Sequence, residues 1–253
     1  MKGSPEGGVS VLPRIQGARR RSSVPIVHHV VFICGLSSAG KDSLLSRAAV
    51  LRPLSQCGRF LSKWTTRGAR SSERIRSDGT SLPIPYGIKT ASHHQLSSHG
   101  AYFGFFAKYG NHYAFSRAEL ISWLRIASPK LIVGIYSGID CLVSIRQESG
   151  ALFHEMTVGA AKGRMRQIVR VQSHWALVDA PADQCLERVD KKGLDERTSR
   201  LKKDAIRREA ELILLLKNEG FFDVVIDNSA GRSLDAAVQG FVEFLRGLEV
   251  PCP

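Results

Sequence analysis

Cysteine is scarce in this chain: five residues in 253, an odd number, widely scattered and without a CxxC pair. That pattern excludes a disulfide framework and gives no thiolate zinc site. Long apolar runs are also missing. The richest, Val30 to Cys34, stops at Gly35, far short of the roughly 18 residues a membrane helix needs, and residues 1–27 lack the apolar core of a secretory leader. These absences predict a soluble protein of a reducing, cytoplasmic compartment. Acidic charge is in short supply as well, with 23 Asp and Glu against 36 Lys and Arg, a net charge of +13. The excess is uneven, since residues 31–130 hold 14 basic and four acidic side chains while residues 131–253 hold 17 and 18. A positive field concentrated in one half attracts polyanions, whether nucleic acid, an anionic membrane surface or phosphorylated small molecules. A hydrophobic content of 43% excludes disordered and fibrous classes and can fill the core of one generous α/β domain.

Residues 1–28 mix Gly, Ser and Pro with Arg19-Arg20-Arg21 and read as a flexible basic tail. Val30 to Cys34 then reads as a strand of the kind buried in a parallel sheet, and Leu44, Leu45, Ala48 and Leu51 fall at helical spacing. A second short strand is expected over Phe60 to Trp64, and an irregular aromatic stretch over Tyr86 to Tyr113. A helix should begin after Ser116. Core strands are expected at Leu131 to Tyr136 and Trp175 to Val178, with an unpatterned span between them. Helices follow over 182–191 and 200–218, then a strand from Phe222 to Ile226 and an amphipathic helix over 234–248. Strands alternating with helices predict an α/β fold with a mainly parallel sheet covered by helices on both faces.

The segment from Gly35 to Lys41 fits GxxxxGK and lies between a buried strand and a helix, where that motif can work. Its backbone N–H groups can cradle phosphate oxygens, the helix N-terminus adds positive potential, and Lys41 neutralises a transferring phosphoryl group. Gly35, Ser37, Ser38, Ala39, Gly40, Lys41, Asp42 and Ser43 are therefore the candidate ATP-binding residues. Asp42 stands where the usual pattern has a hydroxyl residue, so Ser43 or Asp42 would serve Mg²⁺. Downstream, Arg67 and Arg70 lie three residues apart after a strand and can both reach one phosphate.

Thr65-Thr66-Arg67-Gly68-Ala69-Arg70-Ser71-Ser72-Glu73 resembles the TTRxxRxxE pattern of guanylate kinases, and Gly110 to Arg117 resembles their GNYYGTSR segment. The likeness covers roughly residues 29–248. It implies a P-loop kinase fold with an inserted acceptor-binding region (67–115) and a lid (188–204). It also implies ATP and Mg²⁺ as donor and cofactor, with an acceptor phosphate held by Arg67, Arg70 and Tyr113. The lid cations would be Arg188, Lys192 and Arg197, with Arg200 catalytic beside Lys41. Three departures concern the base pocket. Gly104 aligns with the glutamate that pairs with guanine, Phe115 with a small hydroxyl residue, and Ile135-Tyr136-Ser137 with an acidic pair. Gly40-Lys41-Asp42-Ser43 is similar to the loop of ribose 1,5-bisphosphate phosphokinases. The acceptor implied is thus a sugar phosphate such as ribose 1,5-bisphosphate or a nucleoside monophosphate such as GMP. The alternative is a guanylate-kinase-like module that binds nucleotide or protein without catalysis. No stacking-aromatic motif accompanies the basic half, which weighs against nucleic acid.

Overall fold

The computed structural model describes residues 26–48, 58–67, 88–98, 100–125, 131–162 and 169–248. The main sheet is parallel throughout, in the order β2 (Gly58–Phe60), β7 (Leu131–Ile135), β1 (Ile26–Cys34), β8 (Val169–Asp179), β9 (Val224–Asp227). Because β1 is central, its unbroken apolar run Val30 to Cys34 is wholly inaccessible, as burial on two faces requires. Register is tight, with Ile33 opposite Ile135 and Cys34 opposite Leu177. Phe32 stacks on Trp175 at 4.7 Å between ring centroids, and this pair joins the main sheet to the rings of a second one. β1 begins at Ile26, inside the tail expected over 1–28, whose other residues lie outside the described ones.

The second sheet runs β4 (Ile88–Thr90), β3 (Lys63–Thr65), β6 (Asn111–Ser116), β5 (Tyr102–Lys108). The single strand expected over Phe60 to Trp64 is in fact two strands on different sheets. The chain changes sheets at Leu61 and Ser62, where the Leu61 N–H donates to the Val133 carbonyl and the Ser62 hydroxyl to Glu119. The stretch expected to be irregular holds β4, the one-turn helix α2 (His93–Leu96) and the β5–β6 hairpin.

Helix α1 (Lys41–Ala48) leaves the glycine loop, and α3 (Arg117–Leu124) follows β6, its Ser116 side chain capping the Glu119 N–H. The span without visible pattern after β7 contains a 3-10 turn at Ile139–Cys141 and the 21-residue helix α4 (Leu142–Lys162). Among its described side chains, Leu142, Ile145, Ser149, Leu152 and Phe153 are buried, a helical spacing whose apolar rhythm Ser149 interrupts. Helices α5 (Ala182–Asp190) and α6 (Glu196–Asn218) pack together, and α7 (Leu234–Gly247) buries Ala237, Val238, Phe241, Val242 and Leu245 along one stripe. The expected fold class, a mainly parallel α/β sheet flanked by helices, is what the chain adopts, with a second four-stranded sheet beside it. Among the described residues, no helix is long and apolar enough to cross a membrane.

Candidate active site

The glycine loop hangs between the end of β1 and α1. Gly40 has φ +97°, and a Cβ there would collide with the Asn228 side-chain amide, so only glycine lets the loop lie against the segment after β9. Asn228 uses that contact: its Nδ2 donates to the Ala39 carbonyl at 2.6 Å, while its own N–H donates to Asp179. Arg188 of α5 donates to the carbonyls of Ser38 and Asn228, and Lys192 to the Ser38 hydroxyl. Two of the expected lid cations thus meet the phosphate loop directly.

Lys41 is 8% exposed, and its ammonium donates to the carbonyls of Gly35 (2.8 Å) and Leu36 (2.7 Å). Burial, reinforced by the ammonium of Lys108 and opposed by Asp42, Glu209 and Cys34, lowers its pKa from 10.5 to about 8. Asp42 and Ser43 are exposed on the first turn of α1 beside it. Both present oxygen donors to the same cavity as Lys41, which suits a Mg²⁺ shared with substrate phosphates. Among the described residues no group of three His, Cys, Asp or Glu could hold a metal without such help.

That cavity, of about 580 Å³, unites the donor loop with the inserted sheet and the segment after α5. Arg67, just past β3, and Tyr113 of β6 line it opposite Lys41 and Asp42; Tyr113 stacks on Phe106 at 4.9 Å. Arg70 lies outside the described residues. Arg188, Lys191 and Lys192 form another wall. Arg197 and Arg200, on α6, are exposed and do not line the cavity. Lys202, two residues beyond Arg200, is 6% exposed and does. In all, eight Lys and Arg side chains line the cavity against the single carboxylate of Asp42. A second cavity, of about 490 Å³, shares Arg67, Tyr109, Tyr113, Lys192 and Lys202 with it and adds Leu194, Thr198 and Leu201.

Lys63, Lys108, Lys202 and Asn228 escape the sequence reading although they line the cavity. The phase of α6 was a usable signal for one of them, because Lys202, Ala205, Ile206, Glu209, Ile213 and Leu216 form its buried stripe and Arg200 lies off it.

The three departures from the guanine-reading pattern have a structural counterpart. Gly104 has φ +64° at a break in the β5–β6 pairing, and a Cβ there would run into Ile145 and lie 3.3 Å from Phe115. Its N–H donates to Glu148 at 2.9 Å, and it does not line the cavity. Phe115 and Tyr136 are fully buried, with Phe103 and Phe106 packed against them. Rings therefore fill the space around Phe115. A glutamate at Gly104 would have neither the room nor the backbone conformation.

No family model matches the sequence, and no curated protein matches it. Among solved structures, the crystal structure of guanylate kinase from Anaplasma phagocytophilum is similar to this chain over 90% of its length and 89% of that protein's, at 16% identity and a TM-score of 0.46.

Proposed function

We propose that the protein is an ATP-dependent phosphotransferase whose acceptor is the phosphate group of a small molecule recognised through phosphate and not through a guanine base. One observation carries this reading: a single cavity gathers Lys41 and its glycine loop, Arg67 and Tyr113, and Arg188 with Lys192. In this reading the ATP phosphates lie along the loop of residues 35–43 and Lys41 swings from its loop carbonyls to the γ-phosphoryl group. Arg67, with Arg70, holds the acceptor phosphate as a planar fork holds an oxyanion, and Tyr113 donates its hydroxyl to the same group. An acceptor oxygen attacks the γ-phosphorus in line, the new O–P bond forming as the bond to the β-phosphate oxygen breaks. An ionised phosphate is already a nucleophile, so no general base is needed. Asp42 and Ser43 would hold Mg²⁺, which supplies charge neutralisation on the phosphate oxygens. Arg188, Lys192 and Arg197 belong to the proposed lid (188–204), and Arg200 reaches the transferring group only if α6 moves, since it now faces solvent. The proposed acceptor region is 67–115.

The buried rings around Phe115 favour a phosphorylated sugar, ribose 1,5-bisphosphate first, over GMP, because guanine would leave its ring N–H groups without acceptors. Transfer from labelled ATP to ribose 1,5-bisphosphate, GMP and AMP tests both levels. Transfer to the sugar bisphosphate with little distinction between GMP and AMP is expected. A strong GMP preference overturns the acceptor reading. Absence of transfer to every acceptor overturns the kinase reading in favour of a non-catalytic module.

A further inference from the structure

The floor of the cavity holds a pair of buried opposite charges that the transfer chemistry does not use. Lys108, the last residue of β5, places its Nζ 2.6 Å from Oε1 and 2.8 Å from Oε2 of Glu209, halfway along α6. The same Nζ donates to the Ser137 carbonyl at 2.8 Å. The two side chains are only 7% and 10% exposed. An ammonium has three N–H donors; here Nζ donates to Ser137 and to Glu209 Oε2, with Oε1 at ion-pair distance. Lys108 therefore lines the cavity with its charge already paired.

The partners come from three separate parts of the fold. Lys108 belongs to the inserted sheet, Ser137 to the loop leaving β7 of the main sheet, and Glu209 to the helix whose first turns carry Arg197 and Arg200. The pair lies close enough to Lys41 that both charges act on it. Stability does not explain such a pair, since replacing a buried ion pair with apolar side chains of similar volume is often neutral or stabilising.

The geometry points to a positioning role: Glu209 holds Lys108 against Ser137 and so fixes the separation of the inserted sheet, the β7 end of the main sheet and α6 at which donor and acceptor phosphates line up. This inference rests on the phosphotransfer reading above. Glu209 also neutralises the Lys108 charge, which would otherwise repel Lys41 without compensation.

The test uses the full chain and two variants, Lys108→Met/Glu209→Leu and Glu209→Gln, measuring melting temperature, kcat, and KM for ATP with the best acceptor of the panel. The apolar double variant should melt at or above the wild-type temperature, yet lose about 10²-fold in kcat, while KM for ATP changes less than about threefold because the loop contacts are untouched. Glu209→Gln keeps an oxygen for Lys108 and gives up the charge and one accepting oxygen; it should lose about tenfold in kcat with an unchanged melting temperature. If the double variant does not fold, Glu209→Gln alone decides. Wild-type kcat in either folded variant shows that the pair is merely structural and overturns the inference. A wild-type protein that transfers nothing from ATP overturns the kinase reading instead.

Discussion

Lys41→Met should move activity and stability in opposite directions. The lysine is inaccessible enough that its pKa falls from 10.5 to about 8, and at about 1.4 kcal/mol per pH unit that displacement is worth about 3 kcal/mol against the charged form. Methionine keeps a stem of similar length and removes the charge. What is lost is the pair of bonds to the Gly35 and Leu36 carbonyls, at about 1 kcal/mol net each, and both carbonyls can then take water from the open cavity. A gain of about 1 kcal/mol remains, or roughly 2–4 °C in melting temperature for a chain of this size. The sign with pH is fixed. The folded pKa lies below the unfolded one, so the burial penalty is complete below pH 8, shrinks between pH 8 and 10.5, and is gone above. The advantage of the variant should follow the same course. Turnover should fall by about 10²-fold or more, since Lys41 is the cation proposed to reach the γ-phosphoryl group from the loop. Melting curves at pH 7 and pH 10.5 with labelled-ATP assays measure both. A variant destabilised by more than about 1 kcal/mol at pH 7 refutes the burial argument, and one that keeps its turnover refutes the role of Lys41.

Arg67→Ala should raise the acceptor KM about 10-fold or more, the loss expected for a charge-assisted contact, while KM for ATP stays put; steady-state kinetics with each substrate varied separates the two. Gly104→Glu should destabilise the protein by about 2–4 kcal/mol through overpacking against Ile145 and a left-handed backbone, and should not raise the GMP-to-AMP ratio of kcat/KM; a folded variant with new GMP preference means that the register is right and refutes the packing argument. His29, whose ring nitrogen lies 3.0 Å from His174, is held down to about 4 by burial and by the neighbouring His174 and His28. The fold favours its neutral form, so the melting temperature should fall as pH drops from 6.5 toward 4, and His29→Gln should flatten that slope.

What could be read in the sequence is what is local. Strand, glycine loop and helix sit next to one another at residues 30–48, and the fold keeps them adjacent, so the strand–loop–helix unit with Lys41 could be placed from spacing alone. Arg67 and Tyr113 came from short patterns on neighbouring strands, paired in the structure through Thr65 opposite Tyr113. What could not be read is non-local. Arg200 and Lys202 differ by two positions in sequence and by about 200° around a helix, so only the packing of α6 decides which one points inward. Lys108 and Glu209 are 101 residues apart; neither position looks unusual until β5 and α6 are brought together. Gly104 was recognised as a departure, but what occupies its space, Ile145 of α4, belongs to a helix that its own sequence did not announce.

The charge asymmetry of the chain has a different meaning in the fold than in the sequence. The basic half contributes Lys41, Lys63, Arg67 and Lys108 to the cavity, but the nearly neutral half contributes as many: Arg188, Lys191, Lys192 and Lys202. Neutrality there is achieved by sending acidic residues elsewhere. Asp190 pairs with Lys203, Asp204 with Arg207, Asp227 with Arg232 and Asp179 with Lys217, none of these carboxylates lining the cavity. Eight cations and one carboxylate, Asp42, line it, and Glu209 pairs with Lys108. Each phosphate monoester brings up to about two negative charges, so a single phosphate would leave the site far from neutral. Low-dielectric walls strengthen this field where it converges, and the ligands best matched to it are several phosphates bound at once, as a triphosphate donor facing a phosphorylated acceptor would present them.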